Sequence, residues 1–364
     1  MRIHFVNENI GGHATMHAHV RSALAEIHDV DATFFDVPPR RGLERLAGAA
    51  VPGLSALDAD FQPLRAQLAR SAVVRRHLSR LADSPDALHL YTHNAALLSV
   101  AQMERIPAVV SLDATNRQNA FRIPGRVPTA VTPVTVSASV PFERRVYRAA
   151  RRVVAHSRWA ADSVLTYGVA ASKIEVVPFG IALPPAPAPR TASARPRIIF
   201  VGTSMERKGG WRLVEMWKRR LAATTELTLV TLEQIAPGDG IEVRTDVRAG
   251  DGKIEELLAR SDIFAMPSEI DSFGYAALEA MAAGLPVVAV RQGALPELVA
   301  DGVTGLLVPP GDDVAFGQAL ADLAGDADLR SQLGAAGRKR AAEQFDARIT
   351  TARLIDLIRE AALG

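Results

Sequence analysis

The segment 262–311 holds one acid in an otherwise apolar setting. The run Tyr275–Ala283 is apolar nearly all round apart from Glu279, so it reads as a buried helix carrying a single carboxylate. Such a carboxylate costs several kcal/mol unless it has a partner. A pair of ligand hydroxyls would serve, because an ionised carboxylate accepts two hydrogen bonds side by side; a buried arginine is the alternative. The start of the helix offers the complement, since Ser272, Phe273, Gly274 and Tyr275 would present free N–H groups and a partial positive charge to phosphate oxygens. Asp271 lies eight residues before Glu279, roughly 12 Å along a helix at about 1.5 Å per residue. That length suits a ribose and a second sugar joined through a diphosphate, although Asp271 would also serve as a simple helix cap.

A second anion site is suggested by Val201–Gly210, where a strand ends at Gly202 and a loop carries adjacent Arg207 and Lys208. Arg clamps phosphate oxygens in a fork and Lys meets them as a point charge. The order of residues excludes a Walker loop, because no Ser or Thr follows the lysine. In the amino-terminal half, His13 stands beside the pair Gly11-Gly12 and is a candidate to touch donor or acceptor. His89 and His93 flank Tyr91 on a strand, with His93 an acceptor candidate and a core role the alternative. Three Asp-x-Asp pairs (29–31, 58–60 and 326–328) and the spacing His13-x3-His17 with His19 resemble metal ligands. None of the aspartate pairs follows a nucleotide-binding strand, so no metal site is expected. The arginine run 144–152 reads as a solvated helix face or a weak peripheral contact with anionic lipid.

These residues need elements to position them. The chain has 364 residues, 48% hydrophobic and 23% charged, with no cysteine. That suits two domains with their own cores and excludes thiolate chemistry and disulfide scaffolds. Strand-like runs at 2–6, 32–37, 87–91, 107–112, 152–155 and 173–177 alternate with helical patterns. One such helix covers 62–82, with Leu64, Leu68, Val73, Leu78 and Leu81 on its face. A second series of strands follows at 197–201, 226–231, 241–244, 262–266, 286–290 and 304–308. Alternation of this kind implies parallel sheets covered on both faces, hence two doubly wound α/β domains separated by a cleft. The proline-rich stretch 182–196 reads as the linker. Residues 1–182 carry 21 Lys+Arg against 15 Asp+Glu, and residues 183–364 carry 21 against 25. That asymmetry is too mild for a nucleic-acid binder. The longest clearly apolar run, Met281–Val290, is half of what a bilayer helix needs, and no signal peptide is apparent, so a cytoplasmic protein is expected.

In their order these motifs resemble the family-4 retaining glycosyltransferases of the GT-B fold. The resemblance is carried by Ser157-Arg158-Trp159, Tyr167-Gly168-Val169, Lys173–Ile181, Val201-Gly202 with Lys208-Gly209, Pro267-Ser268, Phe273-Gly274, Leu278-Glu279-Ala280-Met281, Gly284–Val288, Pro296-Glu297 and Gly302–Gly311. It implies two Rossmann-like domains. Residues 1–182, with a carboxyl-terminal helix at 347–364 packing back, would bind the acceptor, and residues 197–346 would bind a nucleotide-sugar donor. By the same resemblance Glu279 would hold ribose hydroxyls, Asp271 would contact the donor sugar, and Arg207 and Lys208 would neutralise the diphosphate. Asp246 and Val247 fall in the base-binding loop; Gly11, Gly12, Gly202 and Thr203 line the donor site. Asp113 would face the sugar, stabilising positive charge at the anomeric carbon, or would simply cap a turn. Asp271 stands where the family usually has Glu, and Thr203 where many members have Arg, departures that bear on the donor sugar. The implied activity is metal-independent hexosyl transfer from a nucleotide-diphosphate sugar, UDP-sugar first, to a small-molecule, glycan or lipid-linked acceptor. The sugar nucleotide would be a co-substrate, and no cofactor is implied. The rival readings are a nucleotide-sugar epimerase on the same fold and a non-catalytic nucleotide-sugar-binding protein.

Overall fold

The computed structural model describes residues 1–9, 13–119, 128–185, 195–248, 250–269 and 271–364. The chain divides into two compact units, Met1–Pro178 with Thr350–Gly364, and Phe179–Ile349.

The first unit holds a six-stranded sheet of β1 (Arg2–Asn7), β2 (Asp31–Asp36), β3 (Ala87–Tyr91), β4 (Ala108–Leu112), β5 (Arg152–Ala155) and β6 (Ile174–Val176). All neighbours are parallel, in the order β2-β1-β3-β4-β5-β6. The second unit has β7 (Arg197–Val201), β8 (Glu226–Val230), β9 (Ile241–Arg244), β10 (Ile263–Met266), β11 (Val287–Val290) and β12 (Gly305–Val308). They too are parallel, in the order β12-β11-β10-β7-β8-β9. Every strand expected from the β-branched and apolar runs is present within a residue or two. The sheets are buried on both faces, which is why those runs are almost uninterrupted by polar residues.

Each unit has its own core. In the second, Ile198, Phe200, Leu213, Trp217, Ile263 and Val288 pack together. In the first, one face of the sheet packs Leu88, Val110 and Val153 against Val74 and Tyr147. The other face packs Ile3, Phe5, Val109 and Val154 against Leu354, Ile355, Leu357 and Ile358 of the helix Ala347–Leu363.

The helix expected at 62–82 runs Gln62–Leu78 and buries Ala66, Arg70, Ser71, Val74 and Leu78. Its inward face is therefore rotated from the one read from the leucines, because two polar residues share it. Arg70 donates to the carbonyls of Val37 and Pro38, and Ser71 Oγ accepts from Leu98 N at 2.7 Å. Residues 179–182, read as the end of the first half, belong to the second unit, as do 183 and 184 from the stretch read as linker. Ile181 N donates to Phe345 O, Ala347 N donates to Ile181 O, and Arg338 donates to Pro184 O. No helix among the described residues is long and apolar enough to cross a membrane.

Candidate functional site

In an open parallel sheet, ligands bind outside the carboxyl ends of the strands, where the strand order reverses. In the second unit that reversal lies between β7 and β10. The loop leaving β7 carries Gly202–Gly209, and the loop leaving β10 carries Pro267–Gly274. The two loops approach closely because Gly209 has no side chain: a Cβ there would lie 2.7 Å from Pro267 O, and φ is +73°. Across this approach Lys208 Nζ meets Asp271 Oδ2 at 2.5 Å. Asp271 Oδ1 accepts from Phe273 N at 3.3 Å and Gly274 N at 2.8 Å, at the start of the helix Tyr275–Ala282.

These contacts correct one sequence expectation. The N–H groups of Phe273 and Gly274 are engaged by Asp271 and are not free for phosphate oxygens. Asp271 caps the helix, the alternative the sequence offered to sugar contact, and also pairs with Lys208, which the sequence did not offer. Arg207 on the same loop is half-buried, and among the described residues its guanidinium makes no hydrogen bond or ion pair. Gly202 is buried, packed so that a Cβ would lie 2.7 Å from the Phe200 ring; Thr203 is exposed. Ser272 is half-buried beside them.

Glu279 lies one turn into the same helix, half-buried. Burial pushes its carboxyl pKa up to about 8, and the Glu255 carboxylate adds to the shift. Among the described residues no hydrogen bond or ion pair engages this carboxylate, so the buried-arginine alternative is not realised. Phe273 and Tyr275 hold the helix entrance in place: Phe273 packs edge-on against Phe179 at 4.7 Å, and the Tyr275 hydroxyl donates to Gly180 O at 3.0 Å. Asp246 is exposed and turned into its own loop, held by Arg244 Nε at 2.9 Å and Lys253 Nζ at 2.7 Å. Hydrogen bonds from Arg244 and Lys253 keep its carboxyl well below the usual range. Val247 is half-buried, with its carbonyl accepting from Arg248. Glu269, which sequence reasoning passed over, braces the loop after β10 by accepting from Arg212 and from Gly311 N at 3.0 Å.

In the first unit the order reverses between β1 and β3. Glu8 follows β1, Thr92 and Asn94 follow β3, and Asp113 follows β4. All four line a pocket of about 400 Å³ together with His13 and Gln67. Glu8 is 4% exposed and bound by Arg70 Nε at 2.9 Å and by the Thr92 hydroxyl at 2.6 Å. Its position directly after the first strand was the one available signal; its partners come from far along the chain. His13 Nε2 lies 3.6 Å from Asp113 Oδ2. Burial pulls the His13 pKa down, but Asp113 and Glu8 outweigh it and leave it raised. Gly11 and Gly12 lie outside the described residues.

His93 does not belong to this pocket. It is 1% exposed, with Nε2 3.0 Å from Glu143 Oε1. Glu143 is fully buried and also accepts from Asn116 N, Ser139 Oγ and the Tyr167 hydroxyl. The pair is interior structure, and the acceptor assignment fails because the ring has no path to a ligand. His17 and His89 are likewise buried, bonded to Asn9 and Ser111. The Asp-x-Asp pairs serve structure: Asp29 pairs with Arg359, Asp60 with Arg65, and Asp326 caps the helix Ala327–Gln344. Among the described residues no group of three His, Asp or Glu could hold a metal ion.

Comparison with known proteins fits these two units. Residues 11–180 match the family model described as "Glycosyl transferase 4-like domain", and residues 195–326 match "Glycosyl transferases group 1". The chain is 30% identical over 302 residues to the D-inositol 3-phosphate glycosyltransferase of Xylanimonas cellulosilytica, covering 75% of this chain and 71% of that protein. It is 34% identical over 219 residues to the MMP alpha-(1->4)-mannosyltransferase of Mycolicibacterium hassiacum, a stretch covering 57% of this chain but only about half, 53%, of that relative. Among solved structures, HepE of Anabaena in complex with UDP-glucose superposes with a TM-score of 0.69 at 17% identity, covering 99% of this chain and 100% of that one. With two parallel Rossmann-like units, and with both halves matched, the chain belongs to the family-4-type glycosyltransferase enzymes of the GT-B fold.

Proposed function

We propose that the protein transfers a hexosyl group from a nucleoside-diphosphate sugar, a UDP-sugar first among them, to a hydroxyl of a small-molecule, glycan or lipid-linked acceptor. Transfer retains the anomeric configuration and requires no metal. The observation that carries this reading is the Glu279 carboxylate, crowded by protein and without a partner among the described residues. It lies on the helix that follows β10 at the strand-order reversal, and the loop leading into that helix meets Lys208 through Asp271. A ribose diol satisfies the carboxylate; the Arg207 guanidinium and the Lys208 ammonium meet the diphosphate. The solved complex of HepE with UDP-glucose, and relatives named as a mannosyltransferase and an inositol phosphate glycosyltransferase, support the donor class.

In the proposed step the bond from the anomeric carbon to the diphosphate oxygen breaks. The acceptor oxygen bonds the same face of that carbon, and its proton passes to the departing phosphate oxygen. The protein supplies position and charge stabilisation. Lys208, leaving Asp271 for the diphosphate, would free the Asp271 carboxylate for a donor-sugar hydroxyl. Asp113, paired with His13, would stabilise positive charge at the anomeric carbon. The pocket of the first unit, lined by Glu8, Thr92, Asn94 and Asp113, offers an acceptor its hydroxyl partners.

The test is incubation with UDP-, GDP-, ADP- and dTDP-sugars, with and without an acceptor panel, read by mass spectrometry. A mass-shifted acceptor supports transfer. Free sugar or an epimer indicates the epimerase reading, and binding without release a non-catalytic one. Activity should persist in excess chelator, whereas full loss restored by manganese would overturn the metal-free mechanism.

A further inference from the structure

The first sheet has a second functional candidate at the end opposite Glu8, Thr92 and Asp113. The helices Val100–Arg105 and Thr132–Ala149 lead into the amino ends of β4 and β5, and the turn Ala171–Lys173 leads into β6. There a pocket of about 620 Å³ is walled by Arg145, Arg148, Arg151, Arg152 and Lys173, with Glu104, Glu360 and the last residue, Gly364, contributing the opposing carboxylates. Pockets of this size hold small ligands.

Lys173 has a structural explanation. Its ammonium bonds the carbonyls of Arg148 at 2.9 Å and Tyr147 at 3.4 Å, at the negative end of a helix. The four arginines have none of comparable strength. Arg145, Arg148 and Arg151 are exposed, and among the described residues their guanidinium groups make no hydrogen bond or ion pair. Arg152 Nε is buried without a hydrogen-bond partner, and its nearest carboxylate oxygen, on Glu360, is 3.9 Å away from Nη2. Glu360 is shared with Arg353. Burial, then Arg151 and Arg152, pull the Lys173 pKa down, as expected where positive charge is uncompensated. Crowding five cations into one concavity costs repulsion, and guanidinium forks bind phosphoryl oxygens in bidentate pairs, with the multiple charge of a phosphoryl anion offsetting several cations at once.

We infer that this pocket binds a phosphoryl anion of more than one negative charge, at a site separate from the donor and acceptor residues. The ligand is recognised by Arg145, Arg148, Arg151 and Arg152, whether it is a free phosphate compound or a phosphorylated headgroup. The inference does not rest on the proposed transfer reaction.

The test uses the full chain in an Arg207→Ala/Lys208→Ala background, which removes the competing diphosphate site, and inorganic pyrophosphate as probe. Calorimetry should show saturable binding, weakened at least ten-fold in the Arg145→Ser/Arg148→Ser/Arg151→Ser variant and measurably in Arg148→Ser alone. The substituted side chains are exposed, and circular dichroism checks the fold. In the otherwise native chain the triple substitution should leave the donor affinity unchanged. Equal pyrophosphate affinity with and without the three arginines, or a response to pyrophosphate no greater than to chloride at equal ionic strength, overturns the site. Vesicles containing phosphatidic acid, whose phosphomonoester headgroup can carry more than one negative charge, separate the sources. Vesicle binding competed by pyrophosphate supports the site with a headgroup as ligand, whereas vesicle binding without pyrophosphate binding makes the patch a membrane surface and overturns the pocket.

Discussion

Replacing Glu279 by Gln removes the charge and keeps the shape, and the structure fixes the sign of the outcome. Burial holds the folded-state pKa at about 8 against 4.5 for the free side chain. The folded chain therefore binds this proton more tightly than the unfolded chain, and the native protein loses stability as pH rises from 4.5 to 8. At about 1.36 kcal/mol per pH unit the full interval amounts to 4–5 kcal/mol. Solvent access to a half-buried carboxyl reduces this to about 2 kcal/mol. Glu279→Gln should then melt about 4–8 °C higher than the native chain at pH 8.5, with the gap closing toward pH 5. The same variant should bind its nucleotide sugar roughly ten- to hundred-fold more weakly, since a hydrogen bond to a charged group contributes about 1.5–3 kcal/mol. Scanning fluorimetry from pH 5 to 9, with and without UDP-glucose, reads both effects. Parallel melting curves across pH would refute the burial argument, and unchanged ligand affinity would refute the ribose assignment.

Asp271→Asn keeps an oxygen to cap Phe273 N and Gly274 N but loses the ion pair with Lys208; we expect a melting temperature within a few degrees of native and kcat/KM down at least ten-fold, and unchanged kinetics would remove Asp271 from the site. Gly293 sits at φ +60°, and a Cβ there would lie 2.1 Å from Asp271 O, so Gly293→Ala should cost about 1–3 kcal/mol and depress activity; a native melting temperature would show the approach to be slack. Burial holds His89 at about 3 and His156 at about 4, so their contribution is complete above about pH 6.5 and is lost as pH falls toward those values. His89→Gln should flatten the decline in melting temperature between pH 6.5 and 5, and an identical slope would argue against a neutral buried ring.

The strands were legible because parallel sheets bury both faces and leave long apolar runs. Glu279 stood out for the same reason, as one charge in an apolar helix. What the sequence concealed were polar residues whose partners lie far away. Arg70 and Ser71 turn inward to serve the carbonyls of Val37 and Pro38 and the N–H of Leu98, which rotates the helix away from its leucine face. Glu143 looks like any helix acid, yet its neighbours Asn116, Ser139 and Tyr167 and the ring of His93 make it the centre of an interior cluster. Asp271 was read as reaching outward, because nothing local shows that Lys208, 63 residues earlier, reaches it.

The helix Ala347–Leu363 imposes a timetable on synthesis. Ile355 and Ile358, fully buried against Ile3 and Phe5, are translated only after the whole stretch 179–349. At elongation rates of about 5–20 residues per second, the first sheet waits roughly 10–30 s for one of its covers. During that interval Val109 and Val154 lack the cover of Leu354, Ile355, Leu357 and Ile358, so the half made first is the half completed last. A chain truncated after residue 349 should carry a complete second unit beside an open first one, a state that a chaperone or a protease would meet before any substrate does.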